Sequence, residues 1–169
     1  MKKQISKIPF FIPSISESDR KVVSSTLFHH ILTNGPIVTE FEKSFARFTG
    51  AKYAVAVSNA TTALYLSLRS IGIREGDEVI VPDMTFVATA NAVIQTGATP
   101  VLADVEDDLN ISLKSVQKKI TKKTKAIIPV HFAGKPCDIR SLKKIVEKND
   151  LFLVEDCAHA IGSREGKEH

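Results

Sequence analysis

Residues 125–160 read KAIIPVHFAGKPCDIRSLKKIVEKNDLFLVEDCAHA, and this stretch contains a complete strand–helix–strand unit. Two apolar runs, residues 125–130 and 151–155, predict buried strands. Between them, residues 139–147 repeat apolar side chains at helical spacing and predict an amphipathic helix. Consecutive strands joined by a helix are the unit from which parallel sheets are built.

The same alternation of short apolar runs and helical periodicity extends back to Tyr53. Further strands are predicted at residues 53–57, 78–81 and 100–103, and further helices at residues 61–71, 86–95 and 113–120. Five strands that alternate with helices predict a mainly parallel sheet with helices on both faces. The predicted fold class is therefore α/β.

The first fifty residues have a different pattern. Ser16 can cap a first helix, and residues 38–48 repeat apolar side chains at helical spacing before Gly50. We therefore expect a helical N-terminal segment over residues 1–50 and an α/β domain over residues 51–169.

The composition is that of an ordinary globular protein. The 169 residues are 43% hydrophobic and 25% charged, with 8 Gly and 7 Pro, which excludes a disordered, collagen-like or coiled-coil chain. Two cysteines, Cys137 and Cys157, are too few for a disulfide framework and lack the paired spacing of a zinc site. We expect free thiols in a reducing compartment.

Membrane and nucleic-acid partners are not indicated by the sequence. No apolar run approaches the ~20 residues of a membrane span, and Lys7 and Pro9 interrupt the region where a signal peptide would be apolar. The net charge of +4 includes a lysine-rich stretch, residues 114–125, without interleaved aromatic residues, which favours a solvated helix face over a nucleic-acid surface. We expect a cytoplasmic protein that binds neither membranes nor nucleic acids.

Open parallel sheets bind ligands beyond the carboxyl ends of their strands. The first loop expected there is residues 58–62, SNATT, between a strand and a helix. Small residues let backbone amides approach an anion and the helix N-terminus adds positive charge, so this loop is a candidate phosphate site. Capping of the helix by Ser58, Asn59 or Thr61 explains the same residues without a ligand. The chain has no Gly-x-Gly-x-x-Gly and no Walker A motif.

The last expected loop begins at Asp156, just after an apolar strand. A carboxylate in this position can hold a cationic ring nitrogen, and His159 can face the same ligand. Two alternatives stay open: Asp156 can cap a helix, or Asp156, Cys157 and His159 can be part of a metal site. No further cysteine or histidine is spaced to complete such a site, so we expect no metal.

Phe86 and His131 also follow predicted strands. Phe86 can stack on a flat cofactor or can begin the core face of the next helix. His131 can contact a substrate or can be a buried, hydrogen-bonded imidazole. The residues alone leave both pairs of alternatives open.

Five blocks of the sequence occur in the order seen in one family. They are residues 33–36 (TNGP) with 41–42 (FE), 57–64 (VSNATTAL), 82–91 (PDMTFVATAN), 129–134 (PVHFAG) and 154–160 (VEDCAHA). From about Pro9 to the last residue the chain resembles the DegT/DnrJ/EryC1/StrS family of sugar aminotransferases. The resemblance implies pyridoxal 5′-phosphate (PLP) as cofactor and the large domain of the aspartate-aminotransferase fold, of which only the N-terminal portion is present.

The resemblance also implies roles for particular residues. The backbone amides around Ala60 and Thr61 match those that bind the cofactor phosphate. Phe86 matches the aromatic residue that stacks on the pyridine ring, and Asp156 matches the carboxylate that pairs with the ring nitrogen. His159 falls where many family members have glutamine, near the ring oxygen.

The reaction implied by the resemblance moves an amino group from an amino acid, commonly glutamate, to a keto group of a nucleotide-linked sugar. A lysine of the family holds the cofactor as a Schiff base, and no residue up to His169 matches it; Lys167 lies in a polar turn. The family's small C-terminal domain has no counterpart here. We therefore expect a truncated enzyme that is inactive as this chain and homodimeric when full length.

Two other functions stay open at the level of sequence. One is a non-catalytic module that binds PLP or a nucleotide sugar without turnover. The other is the related branch of PLP-dependent sugar dehydratases, in which histidine replaces the Schiff-base lysine.

Overall fold

The computed structural model of the chain describes Pro9 and residues 12–164. The chain divides into two compact units, Met1–Ala56 and Val57–His169. The division into segments at residue 50 stays a prediction.

The first unit contains two helices. Helix α1 (Glu17–Thr26) begins at Ser16, whose side chain accepts a hydrogen bond from the Asp19 N–H, while the Asp19 carboxylate accepts one from the Ser16 N–H at 2.7 Å. This reciprocal capping box satisfies two amides that the helix itself cannot pair. Helix α2 (Pro36–Thr49) begins with proline and ends at Gly50, whose φ of 72° is left-handed and suits glycine. Both predicted N-terminal helices are confirmed.

The strand predicted at residues 53–57 is not a strand in the structure, so that prediction was wrong. Tyr53 and Val55 are 76% and 80% exposed. The Ala56 N–H donates to Oε1 of Glu42 on α2 at 2.8 Å, whereas a strand would donate to a carbonyl of its neighbour. A strand requires a paired partner, and the apolar pattern of one segment does not supply it.

The second unit has the alternation that the sequence predicts. Its elements in order are α3 (Ala60–Ser70), β1 (Glu78–Pro82), α4 (Ala88–Gln95), β2 (Thr99–Ala103), α5 (Leu113–Lys119), β3 (Thr124–Ile127), a 3₁₀ turn (Phe132–Gly134), α6 (Ile139–Asn149) and β4 (Phe152–Leu153). The strands form one parallel sheet in the order β2-β1-β3-β4. The α/β class is confirmed, with four strands rather than five in the described part of the chain.

Side chains of the central strand β1 alternate between two apolar layers. Val79 and Val81 pack on one face of the sheet, and Ile80 packs on the other. The first layer includes Leu64, Leu68, Ala92 and Val93 of α3 and α4, and the second includes Val116, Leu142, Ile145 and Val146 of α5 and α6. Helices therefore cover both faces of the sheet, as the sequence predicts.

The pairing of β3 with β4 continues toward the carboxyl edge of the sheet. The Val154 N–H donates to the Ile127 carbonyl at 3.0 Å, and the Asp156 N–H donates to the Pro129 carbonyl at 2.9 Å. Proline has no N–H to donate to the Val154 carbonyl, so the ladder is incomplete between these bonds. For this reason the two strands are shorter than the predicted runs 125–130 and 151–155.

None of the helices in the described residues has the length and apolar character needed to span a bilayer.

Replacement of Leu68 tests the core beneath α3. Leu68 has no exposed surface, whereas Leu66 on the same helix is 46% exposed. Leu68→Ala should lower the free energy of unfolding by about 3 kcal/mol, because it removes apolar contacts and leaves a cavity. Leu66→Ala, the matched control, should change it by less than about 0.5 kcal/mol. Urea unfolding of both variants measures this, and equal losses would contradict the packing described.

Candidate functional site

The amino end of α3 lies in the loop that the sequence predicts to bind an anion. Asn59 caps the helix, since its Oδ1 accepts a hydrogen bond from the Thr62 N–H at 2.8 Å. Capping by Asn59, one of the alternatives, is therefore present. The amides of Ala60 and Thr61 belong to the first turn, where N–H groups have no partner within the helix. Capping therefore occupies the Thr62 amide and not those of Ala60 and Thr61, the amides predicted to bind an anion.

Asp156 is buried at the carboxyl edge of the sheet and is 8% exposed. Its Oδ2 accepts a hydrogen bond from the Thr89 hydroxyl at 3.0 Å, and its Oδ1 accepts one from the Ala158 N–H at 3.2 Å. Asp156 precedes a turn and caps no helix, so that alternative was wrong. A carboxylate offers about four acceptor positions, and two are used here.

Thr89 is a partner of Asp156 in the candidate site that the sequence does not reveal. It lies in the first turn of α4, has no exposed surface, and its hydroxyl is 2.8 Å from that of Thr85. The block 82–91 contains both threonines four positions apart, a spacing that places them on one side of a helical turn. Their partner Asp156 is 67 positions from Thr89, which only the fold brings near.

Phe86 lies between β1 and α4 and is 71% exposed. The predicted helix over residues 86–95 begins instead at Ala88. Phe86 therefore does not begin a core face, and that alternative was wrong. Its ring is accessible in the segment that leads from β1 into the helix carrying Thr89.

His131 is a buried imidazole with a partner at each nitrogen. Its Nδ1 accepts a hydrogen bond from the Cys137 N–H at 3.0 Å, and its Nε2 is 3.1 Å from Oε2 of Glu155. The first contact requires a lone pair on Nδ1, so a neutral ring carries its proton on Nε2 and donates to Glu155. The ring is surrounded by the side chains of Cys137, Cys157 and Glu155, which raise the pKa of His131. The backbone N–H of Cys137 acts in the opposite direction, because it points its hydrogen at Nδ1, where a second proton would bind.

Within the described residues, His131, Glu155 and Cys157 place three possible metal-ligand atoms within 4.8 Å of one another. The triple considered from the sequence, Asp156 with Cys157 and His159, is not gathered in this way. A neutral histidine that binds metal through Nε2 must carry its proton on Nδ1. Here Nδ1 accepts the Cys137 N–H, so Nε2 has no lone pair for a metal. The cluster instead joins the loop after β3 to the segment after β4 through the hydrogen bond between His131 and Glu155.

The loop after His131 is fixed to the rest of this edge by Asn110. The Asn110 side chain accepts from the Phe132 N–H at 3.1 Å and donates to the Pro136 carbonyl at 3.1 Å. The ring of Phe132 meets the exposed ring of His159 edge-on, with centroids 6.3 Å apart. The structure thus places His159 beside the 3₁₀ turn on the edge that carries Asp156.

The hydrogen bond from the Cys137 N–H to Nδ1 of His131 predicts that the cluster does not bind zinc. Addition of Zn²⁺ should leave the thermal unfolding midpoint of the protein equal to its value in EDTA, because Nε2 cannot coordinate. Differential scanning calorimetry checks this, with Cys157→Ser as the control. A rise with zinc that Cys157→Ser abolishes would contradict this prediction and show that the cluster binds metal.

The second unit is an α/β domain with a capped helix amino end at α3, an exposed aromatic ring after β1 and a buried carboxylate after β4. The sequence profile of the DegT/DnrJ/EryC1/StrS aminotransferase family matches residues 13–169. The chain belongs to this family.

Individual relatives agree with this assignment. The chain is 45% identical over 155 residues to the spore coat polysaccharide biosynthesis protein SpsC of Bacillus subtilis, covering 91% of this chain and 40% of that protein. It is 43% identical over 158 residues to the GDP-perosamine synthase of Vibrio cholerae, covering 92% and 43%. The crystal structure of NtdA from Bacillus subtilis with bound PMP superposes with a TM-score of 0.85 at 33% identity, covering 95% and 39%. The chain thus spans about two fifths of the length of these relatives.

Proposed function

We propose that this chain is the cofactor-binding portion of a PLP-dependent sugar aminotransferase. The observation that carries the proposal is the buried Asp156 carboxylate, held by two donors at the carboxyl edge of a parallel sheet and still able to accept further hydrogen bonds. NtdA, a similar structure, contains PMP, the amino form of the same cofactor.

The chemistry of the residues fits the three parts of this cofactor. The phosphate is a dianion, and the free amides of Ala60 and Thr61 at the positive end of α3 suit it. The pyridine ring is flat and apolar, and the exposed Phe86 offers a ring to stack on it. The ring nitrogen is cationic when protonated, and the buried Asp156 carboxylate suits that charge.

Each of these groups has a separate task in the proposed reaction. Asp156 holds the proton on the ring nitrogen, since a neighbouring negative charge favours the cationic form. The amides of Ala60 and Thr61 anchor the phosphate, and Phe86 covers one face of the ring and excludes water from it. When bound, the cofactor would supply an electron sink for the electron pair left on Cα when the amino acid loses its Cα proton.

The substrates are proposed for the whole protein rather than for this chain. One relative is a GDP-perosamine synthase and another is a spore coat polysaccharide biosynthesis protein. We infer transfer of an amino group from an amino acid such as glutamate to a keto group of a nucleotide-linked sugar. A cytoplasmic location and a homodimer stay predictions, which fractionation and sedimentation of the native protein test.

No lysine of the chain matches the Schiff-base position, so binding of the cofactor by the chain itself should be reversible. Treatment with borohydride should leave no site-specific adduct. A trapped adduct at a single lysine would contradict this, and peptide mass spectrometry distinguishes the two results.

Asp156→Asn tests the carboxylate that carries the proposal. The variant keeps the size of the side chain but removes the charge opposite the ring nitrogen, so affinity for pyridoxamine 5′-phosphate should fall tenfold or more, about 1.5–3 kcal/mol. Isothermal titration calorimetry measures this. Asp138→Asn is the matched control, because Asp138 caps α6 through the Ser141 N–H and asparagine caps equally well. Equal affinities of the Asp156 variant and the wild type would remove Asp156 from the site.

Phe86→Ala tests the stacking surface. Loss of the ring should weaken binding of the same ligand about fivefold, since stacking contributes on the order of 1 kcal/mol. The neighbouring Val87 is 59% exposed, and Val87→Ala should leave the affinity unchanged. If the two variants bind alike, Phe86 does not contact the cofactor.

A further inference from the structure

The Asp156 carboxylate is connected to a second hydroxyl through Thr89. The Thr89 hydroxyl is 3.0 Å from Oδ2 of Asp156, and the Thr85 hydroxyl is 2.8 Å from that of Thr89. Thr89 has no exposed surface, and Thr85 is half-buried. The three side chains form a chain of hydrogen bonds that runs from the loop after β1 to the loop after β4.

The direction of these two hydrogen bonds follows from the number of hydroxyl hydrogens available. An ionised carboxylate can only accept, so Thr89 donates its one hydroxyl hydrogen to Asp156. Thr89 then has only lone pairs for Thr85, so Thr85 must be the donor in the second bond. The hydrogen bonds therefore all point from Thr85 through Thr89 toward the negative charge, an arrangement in which each bond polarises the next.

The Thr89 hydroxyl does not donate to a carbonyl of its own helix. Several other hydroxyls on helices or at their ends donate to carbonyls of their own helix: Ser25, Thr26, Thr49, Ser70 and Thr96. That local bond is the ordinary one for serine and threonine. Thr89 instead donates across the fold to a residue 67 positions away. Its hydroxyl is thus committed to the carboxylate rather than to the helix.

We propose that Thr89, oriented by Thr85, is a positioning residue that fixes the Asp156 carboxylate for the ring nitrogen of the cofactor. The proposal rests on the proposed function, since it gives Asp156 that partner. With Oδ2 held by Thr89 and Oδ1 held by the Ala158 N–H, the carboxylate cannot rotate freely, and its remaining lone pairs keep one direction. Both donors also stabilise the negative charge that favours a protonated ring.

The titratable groups near Asp156 are the same in the wild type and in the threonine variants that test this proposal. Glu155 is next to Asp156 in the chain, and its carboxylate is 3.1 Å from Nε2 of His131. Cys157 is close to the same imidazole. Replacement of a threonine hydroxyl leaves these groups in place, so a change at the ring nitrogen reports on the hydroxyl.

The probe is pyridoxamine 5′-phosphate labelled with ¹⁵N in the ring, which has no aldehyde to react with surface lysines. The ¹⁵N chemical shift of the bound ligand, followed against pH, gives the midpoint at which the ring loses its proton. In Thr89→Val this midpoint should fall by about one pH unit, a tenfold loss of preference for the protonated ring. Thr89→Ser restores the hydroxyl and should restore the wild-type midpoint.

Thr96→Val is the matched control at the carboxyl end of α4. Thr96 is 6% exposed and its hydroxyl donates to the Val93 carbonyl at 2.7 Å, so its replacement removes a buried hydroxyl away from Asp156. It should lower the thermal midpoint of unfolding without moving the ring midpoint. If Thr96→Val moves the ring midpoint as far as Thr89→Val, the effect is structural and the proposal is wrong.

The remaining outcomes separate this proposal from the proposed function. A folded Thr89→Val variant with the wild-type ring midpoint overturns the role of Thr89, while a lowered midpoint in Asp156→Asn still supports the proposed function. If the wild-type ring titrates like the free ligand, the proposed function fails and Thr89 loses its role with it. If Thr89→Val does not fold, Thr85→Val decides: a smaller fall in the midpoint supports the chain of hydrogen bonds, and no fall overturns it.

Discussion

The candidate site depends on the backbone pairing between Asp156 and the segment after β3. The Asp156 N–H donates to the Pro129 carbonyl at 2.9 Å, and the His131 N–H donates to the Asp156 carbonyl at 3.2 Å. These bonds extend the parallel register of the sheet to its carboxyl edge, although Pro129 cannot donate. They fix the backbone from which the Asp156 side chain meets Thr89. Side-chain hydrogen bonds hold the same two segments together: the His131 ring bonds to the Glu155 carboxylate and to the Cys137 N–H.

Much of this arrangement is predictable from local pattern. Apolar runs and helical spacing predict the parallel sheet with helices on both faces, since a buried strand and an amphipathic helix each leave a periodic signature. The position of Asp156 is predictable because a carboxylate directly after an apolar strand lies at the carboxyl edge of the sheet, where such sheets bind ligands. The amino end of α3 is predictable from Asn59, a preferred N-cap residue ahead of a helical pattern, although the strand predicted before it is not formed. In each case neighbours in sequence carry the information.

The features that escape prediction are those that need a partner from elsewhere in the chain. Residues 53–57 have the apolar character of a strand, but the Ala56 amide is satisfied by Glu42 of α2, which no periodicity reveals. The sequence around Thr89 predicts only a threonine in a helix, because its partner Asp156 is brought near by the fold. The tautomer of His131 likewise depends on the Cys137 amide, six positions away around a turn. Local pattern predicts elements, whereas hydrogen-bond partners depend on topology.

The distance along the chain between Thr89 and Asp156 also sets an order of assembly. Contacts between residues 67 positions apart cannot form until the strands and helices between them have condensed, because the entropy of closing that loop must be offset first. During synthesis, the amino end of α3 emerges about one hundred residues before Asp156 does. A cofactor of the proposed kind can therefore engage the emerging chain fully only when this unit is nearly assembled. Its binding would stabilise contacts already formed in this unit and would not nucleate them.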